Sequence, residues 1–321
     1  MPIKFILRLA AVVLALSVQP VSAQGVTGKT VRIVVPFPPG GSADILARLL
    51  GQQMTLANNQ AILIENRPGA GTVIASEFVS RAAPDGTTLL LNANSFVINP
   101  HLRPNLSYDP LTSFEPVCLL VTSPQVIVVN SSSPFRTLAE LLSAAKSKPG
   151  ELSLATVGPA TTQHIAGEQF KRVARINLTY VPYTGGAPAV NALLGGHVTT
   201  VLANYSEVVE QIKAGKLRAL AATSRERIEP LPDVPTLVES GYDVDATVWF
   251  GLVAPARTPN EVILQLAGML KAALQAPDVK SKLVIQGLYP VGACGAEYGT
   301  HIRKQYEIYG RIIREANIKG E

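Results

Sequence analysis

Only two cysteines, Cys118 and Cys294, occur in the 321 residues. That excludes a disulfide framework of the kind that holds small secreted domains together. It leaves open either one bridge or two small buried apolar side chains. Charge is scarce too, at 16% of residues, and lysines and arginines are scattered without runs. Nucleic-acid binding needs a clustered basic face, so no nucleic-acid partner is expected. The four histidines (His101, His164, His197 and His301) and the two distant cysteines match no zinc spacing. No metal and no cofactor are expected. Beyond the first residues, no apolar run of membrane-spanning length is free of charge, Pro or Gly.

What is present begins with the N-terminus. Lys4 and Arg8 flank the start of an apolar run from Phe5 to Val18, and Val21-Ser22-Ala23 places small residues where a signal peptidase reads. The order is that of a secretory leader, and the run is short for a bilayer span. Residues 1–23 are therefore expected to be a signal peptide cleaved after Ala23, giving an exported chain. Its loss lowers the formal net charge from +5 to +3. The remaining chain is 47% hydrophobic over the whole sequence and long enough for about two domains.

Strand-like and helix-like patterns then alternate, which argues an α/β fold. "VRIVVPF" leads into a helix over Ala43 to Ala57, and "AILIENRPGAG" into one around Thr72 to Ala82. Runs such as Leu89 to Leu91 and Val126 to Val129 fit strands buried on both faces. The logic repeats from "QVIVVNSSSPF" to "LRALAATS". A proline-rich connection follows, then a strand over Val248 to Ala254 and two closing helices, Glu261 to Leu274 and Glu297 to Ala316, with a short helix over Asp278 to Ile285 between them.

Tests for enzyme chemistry fail. In "RPGAGTVIA" the third glycine of a dinucleotide fingerprint would fall at Ile74, and "GGS" at Gly40 to Ser42 lacks the lysine of a phosphate loop. There is no G-x-S-x-G elbow. His164 and Glu168, four apart on a helix, have the spacing of a surface pair more often than of a dyad. What remains are strand ends rich in Gly, Ser, Thr and Asn: "PFPPGGSAD", "NANS" and "TVGPATTQH". Backbone N–H groups at helix starts and small hydroxyls can hold an anion without a formal positive charge, and open α/β sheets bind ligands at the carboxyl ends of strands. Ser42 is placed to cap its helix or to touch a ligand. Asp44 suits the helix dipole and would repel a nearby carboxylate, so its first role is structural.

These stretches, with "VPYTGGAPAVNALLGGHV", "IKAGKLRALAATSRER", "LPDVPTLVESGY" and "WFGLVAPARTP", follow one another in an order similar to that of one family. Over its mature length the chain resembles the Bug-type substrate-binding receptors of tripartite tricarboxylate transporters. The resemblance implies a type II periplasmic binding protein fold, two α/β lobes joined by crossing strands with the ligand between them. It implies one lobe from residues 24–124 plus 248–321 and another from 125–247, with crossing segments at Val117 to Val129 and Val248 to Ala254. It also implies a small carboxylate, organic acid or amino acid, held by amides and hydroxyls. First-lobe contacts would be Phe37, Gly40, Ser42 and Asp44, with Asn94 and Ser95. Second-lobe contacts would be Thr156, Ala160, Thr161, Thr162 and His164, with Tyr183 and Asn204.

Two departures bear on the ligand. Pro159 and the threonines of "ATVGPATTQH" stand where the family has a glycine- and serine-rich run, and Pro159 removes a donor. Asn204 stands near a frequent aspartate, which favours a dicarboxylate over an amino acid. The function implied is that of a monomeric, non-enzymatic solute receptor serving integral-membrane transporter subunits. The rival readings are an exported hydrolase on a two-lobed scaffold and a ligand sensor docking on a signalling partner.

Overall fold

The structure, a computed structural model, describes residues 25–319. The leader and its cleavage after Ala23 lie outside the described residues. Strand β1 (Val31–Val35) is a β-branched run buried on both faces, paired in parallel with β2 (Ile62–Asn66) and β3 (Thr88–Ala93). Between β1 and β2 runs helix α1 (Ser42–Asn58), which buries Leu46, Ala47, Leu50 and Met54 on one stripe. Each of the three larger side chains contributes about 2 kcal/mol of burial. The helix stops at Asn59, whose left-handed φ of 49° suits an asparagine.

A short 3-10 turn (Ala70–Thr72) opens α2 (Val73–Ser80), and β3 runs with one intervening residue into α3 (Ser95–Leu102). The long strand β4 (Phe114–Asn130) then serves both halves of the molecule. Up to Pro124 it pairs with β9 (Thr247–Pro255) and β10 (Tyr289–Cys294); from Gln125 onward it pairs with β7 (Thr200–Asn204) and β8 (Leu217–Ala222). Pro124, which has no N–H to give to a ladder, stands at that change of partners. The second sheet is completed by β5 (Ser153–Thr156) and β6 (Thr179–Pro182), both parallel. One sheet thus reads β2-β1-β3-β9-β4 with β10 on β4, the other β8-β4-β7-β5-β6.

Helices cover both faces of each sheet. In the first lobe α1, α8 (Asn260–Gln275) and α9 (Pro277–Ile285) lie on one side, and α2, α3 and α10 (Ala296–Glu315) on the other. In the second, α4 (Leu138–Ser147) and α5 (Thr162–Ala174) oppose α6 (Gly186–Leu194) and α7 (Tyr205–Lys213). The α/β architecture with two lobes is the one the sequence implies. The segment Val248 to Ala254, however, does not cross. Every strand partner of β9 is in the first-lobe sheet, and the chain passes between lobes just before it, where the Ala246 N–H still bonds the Thr223 carbonyl. Strand β10 and helix α3 were not legible in the sequence patterns. Cys294 of β10 stands opposite Cys118 of β4 and is bridged to it, which settles the open question of the two cysteines.

Candidate ligand cleft

The turns after β1, β3, β5, β6 and β7 each deliver the start of a helix to the face between the lobes: α1, α3, α5, α6 and α7. Their first residues, together with Phe37, Val157, Val248 and Phe250, enclose an inner cavity of about 30 Å³, room for a water molecule or two. A wider cleft of about 630 Å³ joins it, sharing Phe37, Pro38, Val157 and Thr161 as walls. Its size is that of a small-molecule pocket. Among the described residues no Lys, Arg or His lines the inner cavity, whereas Arg103 lines the outer cleft beside Gly71. Among the described residues no cluster of His, Cys, Asp and Glu could hold a metal, and no helix is long and apolar enough to cross a membrane.

Ser42 is the hinge of contact between lobes. Its buried hydroxyl donates to Glu207 Oε1 (3.3 Å) and accepts from Asn204 Nδ2 (3.1 Å) and Ser206 Oγ (2.6 Å), all in the second lobe. Asn204 is equally saturated. Its Oδ1 accepts from Gln125 Nε2 (3.2 Å) and Gln163 Nε2 (3.3 Å), and its Nδ2 also reaches Glu207 Oε1 (3.2 Å). On the first-lobe wall Asn94 accepts the Trp249 N–H (3.0 Å) and donates to Tyr309 Oη (2.8 Å). Ser95 accepts from Thr72 Oγ1 (3.1 Å). Both line the inner cavity, as do Phe37, Thr161 and Thr162.

Other residues named from the sequence are placed differently. Gly40, with φ of +83°, turns its N–H onto Asp44 Oδ2 (3.0 Å) and shapes the loop from behind. Asp44 is buried away from both cavities and braces that loop. It holds Arg48 at 2.9 Å and accepts from Asn66 Nδ2 (3.0 Å), which also bonds the Phe37 carbonyl. Burial alone would raise its carboxyl pKa, but the hydrogen bonds from Arg48, Gly40 and Asn66 and the Arg48 charge hold it below the usual value. Thr161 caps α5 by accepting the His164 N–H (3.3 Å) and donates to the Gly158 carbonyl (2.7 Å). Ala160 packs with the first-lobe core and, with Tyr183, lines the outer cleft. Thr156 lies beneath the inner wall, its carbonyl taking the Tyr183 N–H (2.7 Å) and its hydroxyl bonded to nothing. His164 points elsewhere, its ring 4.5 Å from that of Tyr180, and Glu168 pairs with Lys171 (3.5 Å).

The residue that sequence reasoning missed is Glu207. It is the third residue of α7, and it lines the inner cavity. Asn204, three positions earlier, gives it a backbone N–H (3.3 Å), so the N-x-x-E spacing of a capping box was the signal available. Desolvation pushes its pKa up to about 7, against hydrogen bonds from Asn204 and Ser42 that act to lower it. Gln125, Gln163, Ser206 and Thr72 are further polar partners supplied by tertiary contact alone.

This geometry has close relatives. The family of tripartite tricarboxylate transporter family receptors matches residues 46–318. Protein BugT of Bordetella pertussis is 34% identical, over 94% of this chain and 93% of that protein. The periplasmic binding protein BugD superposes with a TM-score of 0.87 at 33% identity, covering 91% of this chain and 99% of its own. An R. palustris protein solved with adipate gives 0.88 at 30% identity over 92% and 100% of the two chains. MatC from Rhodopseudomonas palustris with bound malate gives 0.83 at 30% identity over 88% and 98%. The chain has the two-lobed periplasmic binding protein fold and belongs to the Bug-type tripartite tricarboxylate transporter receptor family, a family of solute receptors and not of enzymes.

Proposed function

We propose that this receptor captures a small carboxylate between its lobes in the periplasm and hands it to the integral-membrane subunits of a tripartite tricarboxylate-type transporter. In this reading the leader is removed after Ala23, the lobes comprise 24–124 plus 248–321 and 125–247, and the chain works as a monomer. One observation carries it: the starts of α3 and α5 and the uncharged side chains of Asn94, Ser95 and Thr162 face an inner cavity where, among the described residues, the one charged wall residue is Glu207 and no cationic side chain is present. Such a setting favours an anion held by dipoles and amides. Adipate and malate in the solved relatives belong to the same chemical class. Closing on the ligand is favourable because each lobe supplies part of its contacts.

The test is a thermal-shift panel of mono-, di- and tricarboxylates with the mature protein. A carboxylate that raises the midpoint in a concentration-dependent way supports the proposal. No shift from any carboxylate, with a shift from sugars or cationic solutes, contradicts it.

A further inference from the structure

The resemblance set Asn204 near a frequent aspartate and on that ground favoured a dicarboxylate. The structure puts a carboxyl group back beside Asn204. Glu207 sits on the inner cavity with its oxygens bonded to Ser42 Oγ (3.3 Å), Asn204 Nδ2 (3.2 Å) and Asn204 N (3.3 Å). It is also packed against the start of α6, since a Cβ on Gly186 would collide with its carboxyl group. An anion of the protein's own therefore takes the place that the starts of α1, α6 and α7 offer.

Among the described residues no cation faces it from a neighbouring element. In α1, Asp44 is turned to Gly40, Arg48 and Asn66; α6 and β7 carry no ionisable residue. In its own helix, Glu210 and Lys213 pair with each other on the exposed side (3.1 Å). In α5, His164 lies against Tyr180, and Glu168 is paired with Lys171. A capping glutamate normally sits in water, where its charge costs nothing; this one is enclosed at a cleft wall with only neutral donors. The unbalanced negative charge is a feature a ligand must answer.

We infer that Glu207 is a specificity-determining residue: it selects a carboxylate that also carries an ammonium donor facing the inner cavity, and disfavours the plain dicarboxylate of the same length. This rests on the carboxylate-receptor reading above. The ligand carboxylate takes the starts of α3 and α5, at Ser95 and Thr162, and the ammonium meets Glu207. Ion-pairing with an enclosed carboxylate favours the amino compound, whereas a second carboxylate there is repelled.

The experiment measures calorimetric affinities for two matched pairs, succinate with aspartate and adipate with 2-aminoadipate, on the wild type and on Glu207→Gln. The wild type should prefer the amino member of the better-bound pair by about tenfold or more, and Glu207→Gln should abolish that preference. As a control independent of the variant, wild-type preference should grow as pH rises from about 6 to about 8, through the range in which Glu207 ionises. Equal affinity within the pairs, or a preference that survives Glu207→Gln and is flat with pH, overturns the inference while leaving the carboxylate reading intact. Failure of all four compounds together with the whole thermal-shift panel overturns the carboxylate reading, and this inference with it.

Discussion

Two carboxylates, one in each lobe, occupy the same position on equivalent elements and have opposite characters. Asp44 is the third residue of α1, which follows β1; Glu207 is the third residue of α7, which follows β7. Both reach back to a backbone N–H at the start of their helix. Asp44 also has a cation at 2.9 Å and an amide, and its pKa is lowered. Glu207 has neutral donors only, and its pKa is raised to about 7. The helix start is common to both, so it is the surroundings that decide. A carboxylate answered from within the lobe holds a loop in shape; one left without a cation at the interlobe face is available to a ligand.

The lobes also differ in how they are held, and the largest expected effect comes from there. The Cys118–Cys294 bridge closes 176 residues and lies wholly in the first-lobe sheet. Replacing both cysteines by serine should cost roughly 5 kcal/mol by the chain-entropy argument, read as a lower urea midpoint. Hydrogen exchange should then rise in β4 and β10 before it rises in β5 and β6. Uniform loss in both lobes would mean that the lobes unfold as one unit.

Asp44→Asn should follow, at about 2 kcal/mol, because it removes the charge-assisted bonds of Arg48 and leaves Gly40 and Asn66 poorly satisfied. Ligand affinity should fall with it, since the loop carrying Phe37 and Ser42 loses its brace. A variant as stable as the wild type would show that the loop holds its shape without Asp44.

The pH dependence should separate the two carboxylates. The lowered pKa of Asp44 gives stability that is present above its usual carboxylate value of 3.8 and is lost as pH falls. Glu207 works in the other direction: its contribution is full below 4.5 and is lost as pH rises from there to about 7. Glu207→Gln should therefore match the wild type near pH 4.5 and exceed it near pH 8, by at most about 3 kcal/mol. Parallel curves for the two proteins would place Glu207 in contact with water. The smallest effect is optical. Trp249 is buried, and its backbone N–H is held by Asn94 on the cavity wall, so ligand should change its emission intensity with little shift in wavelength.

Much of the fold was legible because local pattern and burial agree. Apolar runs such as Val126 to Val129 became buried strand, and the stripe of α1 became core. Helix α3 was hidden by the small polar residues at its start and by Pro100 inside it, and β10 by Pro290, Gly292 and its partly exposed face. Both depend on distant partners, α3 on α10 and β10 on β4. Of the site, Phe37, Ser42, Asn94, Ser95, Thr161, Thr162 and Asn204 come together on the inner cavity. Their strand-end position was visible in the pattern. Glu207 was not recognised because α7 reads as an ordinary capped surface helix until the first lobe is laid against it.

The central claim is that both lobes grip one carboxylate. It is tested most directly by titrating the best carboxylate of the panel, in a calorimeter, into the wild type, Ser95→Ala and Thr162→Ala, the two cavity hydroxyls placed to meet the ligand carboxylate. One site per chain is expected, weakened about tenfold or more by either substitution, since each removes a donor from a different lobe. Binding that survives one of the two unchanged would contradict it, because the ligand would then belong to a single lobe.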